Sequence, residues 1–334
     1  MRRFRKILFP FSLLYGLIVH IRNYLYNKGI LRSVSYGFPV LCVGNLSVGG
    51  TGKTPMVMYL VHLLKGKYRV AILSRGYKRK SKGFLMADKK TSVEAIGDEP
   101  FQYYNNFPEI TVAVAEERVY GIQKLMELDS SPEIVVLDDA YQHRKVTPGL
   151  NILLTVYNSL YVNDLMLPTG NLRDSKKEAG RADIIVVTKC PKELSVAIRD
   201  EVIQELKIQP YQKVFFTTID YSNTVLPSSN TLGSLKERPF VLVTGIANAA
   251  PMVAYLKSLG LIFKHYAYKD HHYFSDKEIA FFNSQAMLLT TEKDFMRLKD
   301  RVEGIQYLPI EIKFLFEEAA IFDNYIEGFV KNSL

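Results

Sequence analysis

Residues 44–55 read GNLSVGGTGKTP and contain the clearest fold signal in the chain. The run PVLCVGN that leads into them predicts a buried strand, and the residues from Thr54 to Leu64 have a helical pattern. A glycine-rich turn between a strand and a helix, ending in Gly-Lys-Thr, is typical of a phosphate-binding loop (P-loop). The usual pattern has a glycine five residues before Gly52, and Ser47 occupies that position. The strand, loop and helix still predict a nucleotide site.

Each part of the loop has an expected task. The glycines let backbone amides approach phosphate oxygens, and the start of the helix adds positive potential. Lys53 is expected to reach the β- and γ-phosphates, and Thr54 is expected to hold Mg²⁺. The residues expected around the nucleotide are Ser47, Val48, Gly49, Gly50, Thr51, Gly52, Lys53 and Thr54.

A second signal is the run EIVVLDDAYQH, in which four apolar residues precede Asp138 and Asp139. An acid at the end of a buried neighbouring strand is what Mg²⁺ coordination in a P-loop protein requires. Many strands end in aspartate, so the signal is informative only together with GGTGKT. The pair of motifs predicts an ATP and Mg²⁺ site.

Three classes of P-loop protein compete for this pattern. A GTPase would have Asp-x-x-Gly after the acidic strand and Asn-Lys-x-Asp to read the base, but DDAYQ lacks the glycine and TKCP, at 188–191, lacks the final aspartate. A partition-type ATPase often has a lysine where Val48 stands. A kinase for a small or lipid acceptor remains, and it needs a base near the γ-phosphate and an acceptor pocket.

Apolar runs alternate with helical patterns along most of the chain, which predicts an α/β fold. The expected fold is a P-loop NTPase-like, mainly parallel sheet with helices on both faces, plus a second, smaller α/β domain. A segment rich in Pro, Ser and Asn separates the two, and a last strand near IEIKFLF belongs to the smaller one in this interpretation. We predict an N-terminal helix at 1–30, a P-loop kinase domain at 31–222 and a smaller domain with its linker at 223–334.

The composition limits the possible partners. The 334 residues have a formal net charge of +9, which permits a nucleotide, a nucleic acid or an acidic membrane surface as partner. Cys42 and Cys190 are the only cysteines and form no metal-ligand pattern. A disulfide framework is therefore not expected, which fits a reducing compartment.

The N-terminal sequence MRRFRKILFPFSLLYGLIVHIRNYLYNKG combines basic residues with an apolar run. No small-residue cleavage site follows, and the run is shorter than the roughly 20 residues that span a bilayer. Basic residues flank an apolar stripe at helical spacing, which is typical of a helix lying in a membrane interface. The alternative is an ordinary amphipathic helix packed on the domain. The stripe consists of Leu13, Leu14, Leu17, Ile18, Ile21 and Leu25.

Further fragments occur in an informative order: VGNLSVGGTGKTP, SRGYKR, GDEP, VAEER, LDDAYQHR, LPTGNLRD, VTGIAN, KDHHYF and TTEKDF. This order closely resembles the tetraacyldisaccharide 4'-kinase (lipid A 4'-kinase) family, from the N-terminal helix to about residue 298. GGTGKTP followed by DDAYQHR is specific, and serine in place of the first loop glycine belongs to the family's own pattern. The chain differs by Asp174, where glutamate is more usual, and by Ala140-Tyr141, where Gly-Phe is commoner.

The resemblance implies an ATP-dependent kinase that phosphorylates the 4'-hydroxyl of tetraacyldisaccharide 1-phosphate, giving lipid IVA in lipid A biosynthesis. It implies a peripheral or monotopic protein on the cytoplasmic face of the inner membrane, with a lipid A precursor and an anionic membrane surface as partners and no nucleic acid.

The resemblance also implies roles for individual residues. Asp98 pairs with His271, preferred over His272, and the pair deprotonates the sugar hydroxyl. The implied Mg²⁺ ligands are Thr54, Glu99, Asp138 and Asp139. Residues expected at the lipid phosphate or the transferring group are Arg118, Gln142 and Arg173.

A non-catalytic alternative is a membrane-surface switch ATPase that acts on a protein partner. Such a protein would use the same P-loop and the same basic helix. It would have no use for a carboxylate–histidine pair or for an acceptor pocket, and its ATP turnover would not depend on an added lipid acceptor.

Overall fold

The computed structural model describes residues 5–236 and 238–334. Its strands are β1 (Val40–Asn45), β2 (Val70–Ser74), β3 (Leu85–Met86), β4 (Thr111–Val114), β5 (Ile134–Asp138), β6 (Leu150–Val156), β7 (Ile184–Thr188), β8 (Lys213–Tyr221), β9 (Thr224–Val225), β10 (Asn230–Thr231), β11 (Phe240–Thr244), β12 (Phe263–Ala267), β13 (Leu288–Thr291), β14 (Gln306–Leu308) and β15 (Ile310–Phe314). Its helices are α1 (Phe9–Asn27), α2 (Lys53–Leu64), α3 (Val93–Ile96), α4 (Asp98–Asn106), α5 (Arg118–Met126), α6 (Val196–Leu206), α7 (Ala250–Ser258), α8 (Asp276–Asn283), α9 (Glu292–Leu298) and α10 (Ala319–Ser333).

The larger sheet has nine strands in the order β15-β8-β7-β6-β1-β5-β2-β4-β3. All neighbours are parallel except the two edge pairs, β15 with β8 and β3 with β4. Every residue of β1, β2, β5 and β7 is buried, as expected for parallel strands covered on both faces. The predicted fold class is confirmed.

Two apolar layers enclose this sheet. One face packs against α2, α4 and the C-terminal helix α10, and the other against α5 and α6. At the centre, β1 lies between β5 and β6, so the P-loop that follows it is flanked by the carboxyl ends of both strands. The end of β1 packs closely against the segment that follows β5. A Cβ on Gly44 would lie 2.5 Å from Tyr141 Cβ, so a glycine is required before the loop.

The smaller sheet has four parallel strands in the order β12-β11-β13-β14, with an apolar cluster on each face. It contacts the larger unit through α9, whose Met296 packs with Phe101 of α4. Two elements differ from the sequence interpretation, which assigned 223–334 to the smaller domain: β15 and α10 both belong to the larger unit. β15 does not join the smaller sheet but pairs antiparallel with β8, because an alternating pattern identifies a strand without identifying its partner.

Helix α1 packs on the protein through a small and polar face. Ser12, Val19 and Asn23 are its buried residues, whereas Leu13, Leu17 and Ile21 are 60%, 55% and 49% exposed. Leu25 of the predicted stripe is only partly exposed. Within the described part of the chain, no helix has the length and apolar character needed to cross a bilayer.

Candidate active site

The loop after β1 has the backbone expected of a phosphate cradle. Gly49 and Gly52 have φ values of 108° and 90°, and Gly52 immediately precedes the first residue of α2. Ser47 forms an antiparallel bridge with Leu172, an extended pairing that a serine adopts without strain. The first glycine of the common pattern is therefore not needed here.

Lys53 is the first residue of α2 and points into the cradle. Its Nζ lies 3.3 Å from Asn45 Oδ1 and 3.6 Å from Asp139 Oδ1. Only 18% of this side chain is exposed, so solvent screens its charge weakly. The ammonium group is thus held between the P-loop and the acids at the end of β5.

The two acids at the end of β5 have opposite electrostatic environments. Asp138 is buried and accepts a hydrogen bond from Ser74 at 3.0 Å; burial and the neighbouring Asp139 raise its pKa to about 6. Burial also opposes ionisation of Asp139, but Lys53 and Arg173 outweigh it and hold its pKa at about 2. A buried carboxyl with a raised pKa favours a nearby cation, which fits a metal ligand.

Arg173 and Gln142 both contact Asn45, the last residue of β1 before the P-loop. Arg173 binds Asp139 through two hydrogen bonds of 3.0 and 2.7 Å and also contacts Asn45. Gln142 donates to the carbonyl oxygen of Asn45 at 2.7 Å. The structure therefore places both residues beside the nucleotide loop, where Arg173 can act on a transferring phosphate only by exchanging its contact with Asp139.

Arg118, which was expected at the lipid phosphate or the transferring group, is buried beside the end of β5. It is 2% exposed, and its guanidinium donates to the carbonyl oxygens of Ala115, Glu116 and Asp138 at 3.0, 3.3 and 3.2 Å. Burial lowers its pKa to about 10. The side chain fixes the backbone at Asp138 from beneath, and its burial leaves no open face for a lipid phosphate.

Replacing Arg118 with leucine should lower the free energy of unfolding by at least about 2 kcal/mol, because each buried carbonyl that loses its donor costs about 1–3 kcal/mol. Urea denaturation measures the change. Lys124→Ala on the same helix is the matched control, since Lys124 is partly exposed and contacts Glu127 and the Tyr120 ring at the surface. A stable Arg118→Leu protein that loses only lipid phosphorylation would contradict the structural role.

Asp98 of the larger unit contacts His271 of the smaller unit. Asp98 is the first residue of α4 and is 8% exposed, and His271 lies in the loop after β12. His271 Nδ1 is 2.7 Å from Asp98 Oδ2. The backbone of His271 has a φ of 61°, a conformation that is costly for a non-glycine residue and frequent at functional sites.

Two cationic residues of α9 complete this cluster, and sequence reasoning missed both. Arg297 donates to both oxygens of Asp98, through Nε at 2.8 Å and through Nη2. Lys293 Nζ lies 3.2 Å from His271 Nε2 and 3.2 Å from Glu99. Residues four apart share a helix face, so the available signal was the spacing of Lys293, inside TTEKDF, and Arg297, two residues after it.

The contacts of His271 fix the orientation of its ring. Nδ1 lies 2.7 Å from Asp98 Oδ2 and 2.9 Å from Arg297 Nη2, and Nε2 lies 3.2 Å from Lys293 Nζ. Burial opposes ionisation of Asp98, but His271 and Arg297 outweigh it and lower the pKa of its carboxyl. The result is an ionised carboxylate beside one imidazole nitrogen, with the other nitrogen directed away from it, which is the arrangement of a carboxylate–histidine base.

The residues present fit Mg²⁺ on the side of Asp138. Thr54 lies at the start of α2, and Glu99 is close enough to raise the pKa of Asp138. Asp98, Glu99 and His271 also offer ligand atoms within 4.8 Å of one another. Arg297 and Lys293 already supply positive charge to that second cluster, which disfavours a metal ion there.

Two other predicted features are also located. His272 Nε2 bonds Glu278 at 3.0 Å within the smaller unit, so it does not share the contact of His271 with Asp98. Asp174 is fully buried and accepts a hydrogen bond from Asn23 of α1 at 2.7 Å. Its carboxylate therefore anchors the N-terminal helix.

Comparison with known proteins gives a consistent result. The model of the family described as Tetraacyldisaccharide-1-P 4'-kinase matches residues 4–330. A Tetraacyldisaccharide 4'-kinase of Flavobacterium johnsoniae is 48% identical over 100% of this chain and 99% of its own length. One of Bacteroides thetaiotaomicron is 41% identical over 99% and 94%. The crystal structure of the "apo" form of LpxK from Aquifex aeolicus in complex with ATP has a TM-score of 0.81 and 36% identity, covering 98% of this chain and 99% of that one.

Proposed function

The chain belongs to the tetraacyldisaccharide-1-P 4'-kinase family, and we propose that it transfers the γ-phosphate of ATP to the 4'-hydroxyl of tetraacyldisaccharide 1-phosphate, giving lipid IVA. It is an ATP-dependent kinase of lipid A biosynthesis. The observation that carries the residue-level proposal is the contact of Asp98 with His271, in the same site as a P-loop lysine.

The proposed mechanism gives each residue a physical task. The loop amides and Lys53 hold the β- and γ-phosphates in place and compensate charge that develops during transfer. His271 accepts the proton of the 4'-hydroxyl at Nε2 after Lys293 moves aside. Asp98 stabilises the resulting imidazolium, and Arg297 keeps Asp98 oriented. An alcohol is a weak nucleophile, so such a base is worth roughly 10²–10⁴ in rate.

The proposed holders of Mg²⁺ are Thr54, Glu99, Asp138 and Asp139. When bound, the ion would neutralise negative charge on the phosphates. Because Arg173 already binds Asp139 on both oxygens, we assign the more direct contact to Asp138. Since His271 and Lys53 belong to different units, closure of the two units is a condition of the reaction.

A direct assay tests the function. Purified protein is incubated with γ-labelled ATP, Mg²⁺ and tetraacyldisaccharide 1-phosphate, and the lipid fraction is examined for label at the 4'-position. A doubly phosphorylated lipid is expected. Turnover of ATP that is independent of the lipid acceptor, with no labelled lipid, would instead favour the membrane-surface switch ATPase, for which the carboxylate–histidine pair offers no use.

We propose a peripheral position on the cytoplasmic face of the inner membrane, and the exposure pattern of helix α1 supports the membrane contact. Its inner face makes polar contacts: Ser12 donates to Thr169 at 2.7 Å, and Tyr15 donates to the carbonyl oxygen of Arg173 at 2.9 Å. Its outer face exposes the apolar residues named above, which is the reverse of a helix that packs its apolar stripe on a core. We propose that this outer face lies in the lipid interface.

Charge is the second part of the membrane proposal. Arg5 is one of four basic residues that precede the apolar stripe, with Arg2, Arg3 and Lys6. Its guanidinium donates to the Pro168 carbonyl oxygen and to Asn171 Oδ1, both at 3.0 Å. Arg2 and Arg3 lie outside the described residues. High salt screens the charged contribution to membrane binding but not the apolar contribution of α1. We therefore expect high salt to release the protein from the membrane only in part.

Replacing Leu13, Leu17 and Ile21 together with serine should weaken liposome binding and raise the KM for the lipid acceptor, while ATP binding and the melting temperature stay near wild type. The reason is that all three side chains are about half exposed, so little core packing is lost. Co-sedimentation with anionic liposomes and thermal unfolding are measured on the same protein.

The matched control for this experiment is Val19→Ser, on the buried face of the same helix. It should lower the melting temperature, because a buried apolar residue is replaced by a polar one. If the triple variant unfolds in the same way and shows no specific loss of liposome binding, the interfacial role of α1 is refuted.

A further inference from the structure

Asp294, the third residue of α9, is a fully buried carboxylate that has no task in the mechanism described above. Its Oδ2 accepts hydrogen bonds from the Gly245 amide at 2.8 Å and from the Thr291 hydroxyl at 2.7 Å. Among the described residues, Oδ1 has no hydrogen-bond partner, and it lies 3.6 Å from Arg297 Nη1. Burying a carboxylate is costly unless it is paired, so these contacts point to a task for Asp294.

Gly245 connects Asp294 to the loop that carries His271. Gly245 directly follows β11, and its carbonyl oxygen accepts a hydrogen bond from the His271 amide at 3.2 Å. One residue earlier, the carbonyl oxygen of Thr244 accepts from the Tyr268 amide at 2.7 Å. The loop after β12 is therefore tied to the end of β11 at two points, and Asp294 holds the second of these points from the other side.

The fit around Gly245 leaves no space for a side chain. A Cβ on this residue would lie 2.9 Å from Asp294 Oδ1 and 3.6 Å from the carbonyl oxygen of Lys269, which belongs to the same loop as His271. A distance of 2.9 Å is too short for a Cβ contact, and a buried aspartate has little freedom to move away. A glycine therefore lets the end of β11 pass between Asp294 and the His271 loop.

His271 needs such support because its backbone is in the left-handed region. A residue in a costly backbone conformation keeps it only where the surrounding structure fixes it. The His271 amide is held by Gly245, and its ring contacts Asp98 across the two units. The backbone contact determines where the side chain starts, so its loss would leave the ring free to turn about its contact with Asp98.

We propose that Asp294 is a positioning residue for His271. Asp294 fixes the Gly245 amide, and the Gly245 carbonyl oxygen fixes the His271 amide, so the imidazole meets the acceptor hydroxyl in one orientation. This inference rests on the proposed function, because it requires His271 to be the base. It also gives a common task to the sequence fragments VTGIAN and TTEKDF, which meet at this contact.

A double-mutant cycle of Asp294→Ala and His271→Ala tests the proposal, with kcat measured at saturating ATP and lipid acceptor. We expect Asp294→Ala to lower kcat by roughly 10- to 100-fold, the scale of misplacing a reacting group by about 1 Å. The KM for ATP should stay near wild type, because the P-loop belongs to the larger unit. In the His271→Ala background the same substitution should lower kcat no further, since the group that Asp294 positions is absent.

A merely structural role would give a different result in this cycle. Asp294→Ala would then lower kcat by the same factor with and without His271, and this outcome would overturn the proposal. Wild-type kcat in Asp294→Ala would also overturn it and would leave the proposed function intact. A wild-type protein that phosphorylates no lipid would instead refute the proposed function itself.

Asp294→Asn separates the hydrogen bonds from the charge. Its amide oxygen can accept from Gly245 and Thr291, whereas the negative charge that faces Arg297 is lost. We expect this variant to recover most of the kcat that Asp294→Ala loses. A loss as large as that of Asp294→Ala in a folded protein would show that Asp294 acts through the charge on Arg297, and the path through Gly245 would be wrong.

Gly245→Ala approaches the same contact from the other side and is used if Asp294→Ala does not fold. The added methyl group would press on Asp294 Oδ1, so kcat should fall in the wild-type background and not in His271→Ala. The matched control is Thr290→Val, which removes a buried hydroxyl whose hydrogen bond goes to the Val243 carbonyl oxygen at 2.7 Å. This control should keep kcat near wild type. Multiplying losses for Gly245→Ala and His271→Ala would overturn the positioning role.

Discussion

Replacing Lys53 with alanine should lower the rate of lipid phosphorylation by at least about a hundredfold, the scale of losing one strong donor in the transition state. Lys53 is held 3.6 Å from Asp139 Oδ1 and is largely shielded from solvent, so its charge acts at short range and with little screening. The measurement is kcat with saturating ATP and lipid.

The control for this variant is Lys65→Ala at the other end of the same helix. Lys65 pairs with Glu109 on the surface and has no contact with the loop in the structure, so its loss should leave kcat near wild type. Near-normal turnover by a folded Lys53→Ala protein would remove the basis for the P-loop mechanism.

Asp98→Ala and His271→Ala should each lower kcat by roughly 10²–10⁴, the usual contribution of a positioned base. The double variant should be scarcely slower than either single one, because both side chains serve one proton transfer. Affinity for ATP should change little, since neither residue contacts the loop. Steady-state rates of the four proteins, with ATP titrations in parallel, give the coupling directly.

His272→Ala is the control for this cycle, because its ring bonds Glu278 inside the smaller unit. It should keep kcat near the wild-type value. Losses of Asp98 and His271 that multiply would show that the two residues act independently, and the proposed dyad would then be wrong.

The P-loop was predictable because its signal is local: strand, glycine turn and helix are consecutive in sequence. Arg297 was not, because its contact with Asp98 exists only after α9 has docked on α4, almost 200 positions away along the chain. Arg118 shows a second limit. From sequence, an arginine near an acidic strand has the chemistry of a phosphate ligand. The structure shows that this arginine is buried and donates to backbone carbonyl oxygens.

The N-terminal helix shows a third limit. Its apolar stripe fits either a membrane interface or a protein core, since periodicity gives the stripe and not its neighbour. The contacts of Ser12 and Asn23 show which face packs on the protein. The same reasoning applies to β15, whose pattern predicts a strand but whose partner β8 lies about 90 residues earlier.

The return of β15 to the larger sheet makes the smaller unit an insertion. Tyr221 and Ile310 are cross-strand partners, and the Ser222 amide donates to the Pro309 carbonyl oxygen at 3.1 Å, so the chain leaves and re-enters at one point. The smaller unit is therefore joined to the larger one by two neighbouring chain segments, one after β8 and one before β15. They leave one main axis for a swing and resist twisting about the connection. The smaller unit can therefore change in sequence or size without interrupting the larger sheet that carries the P-loop.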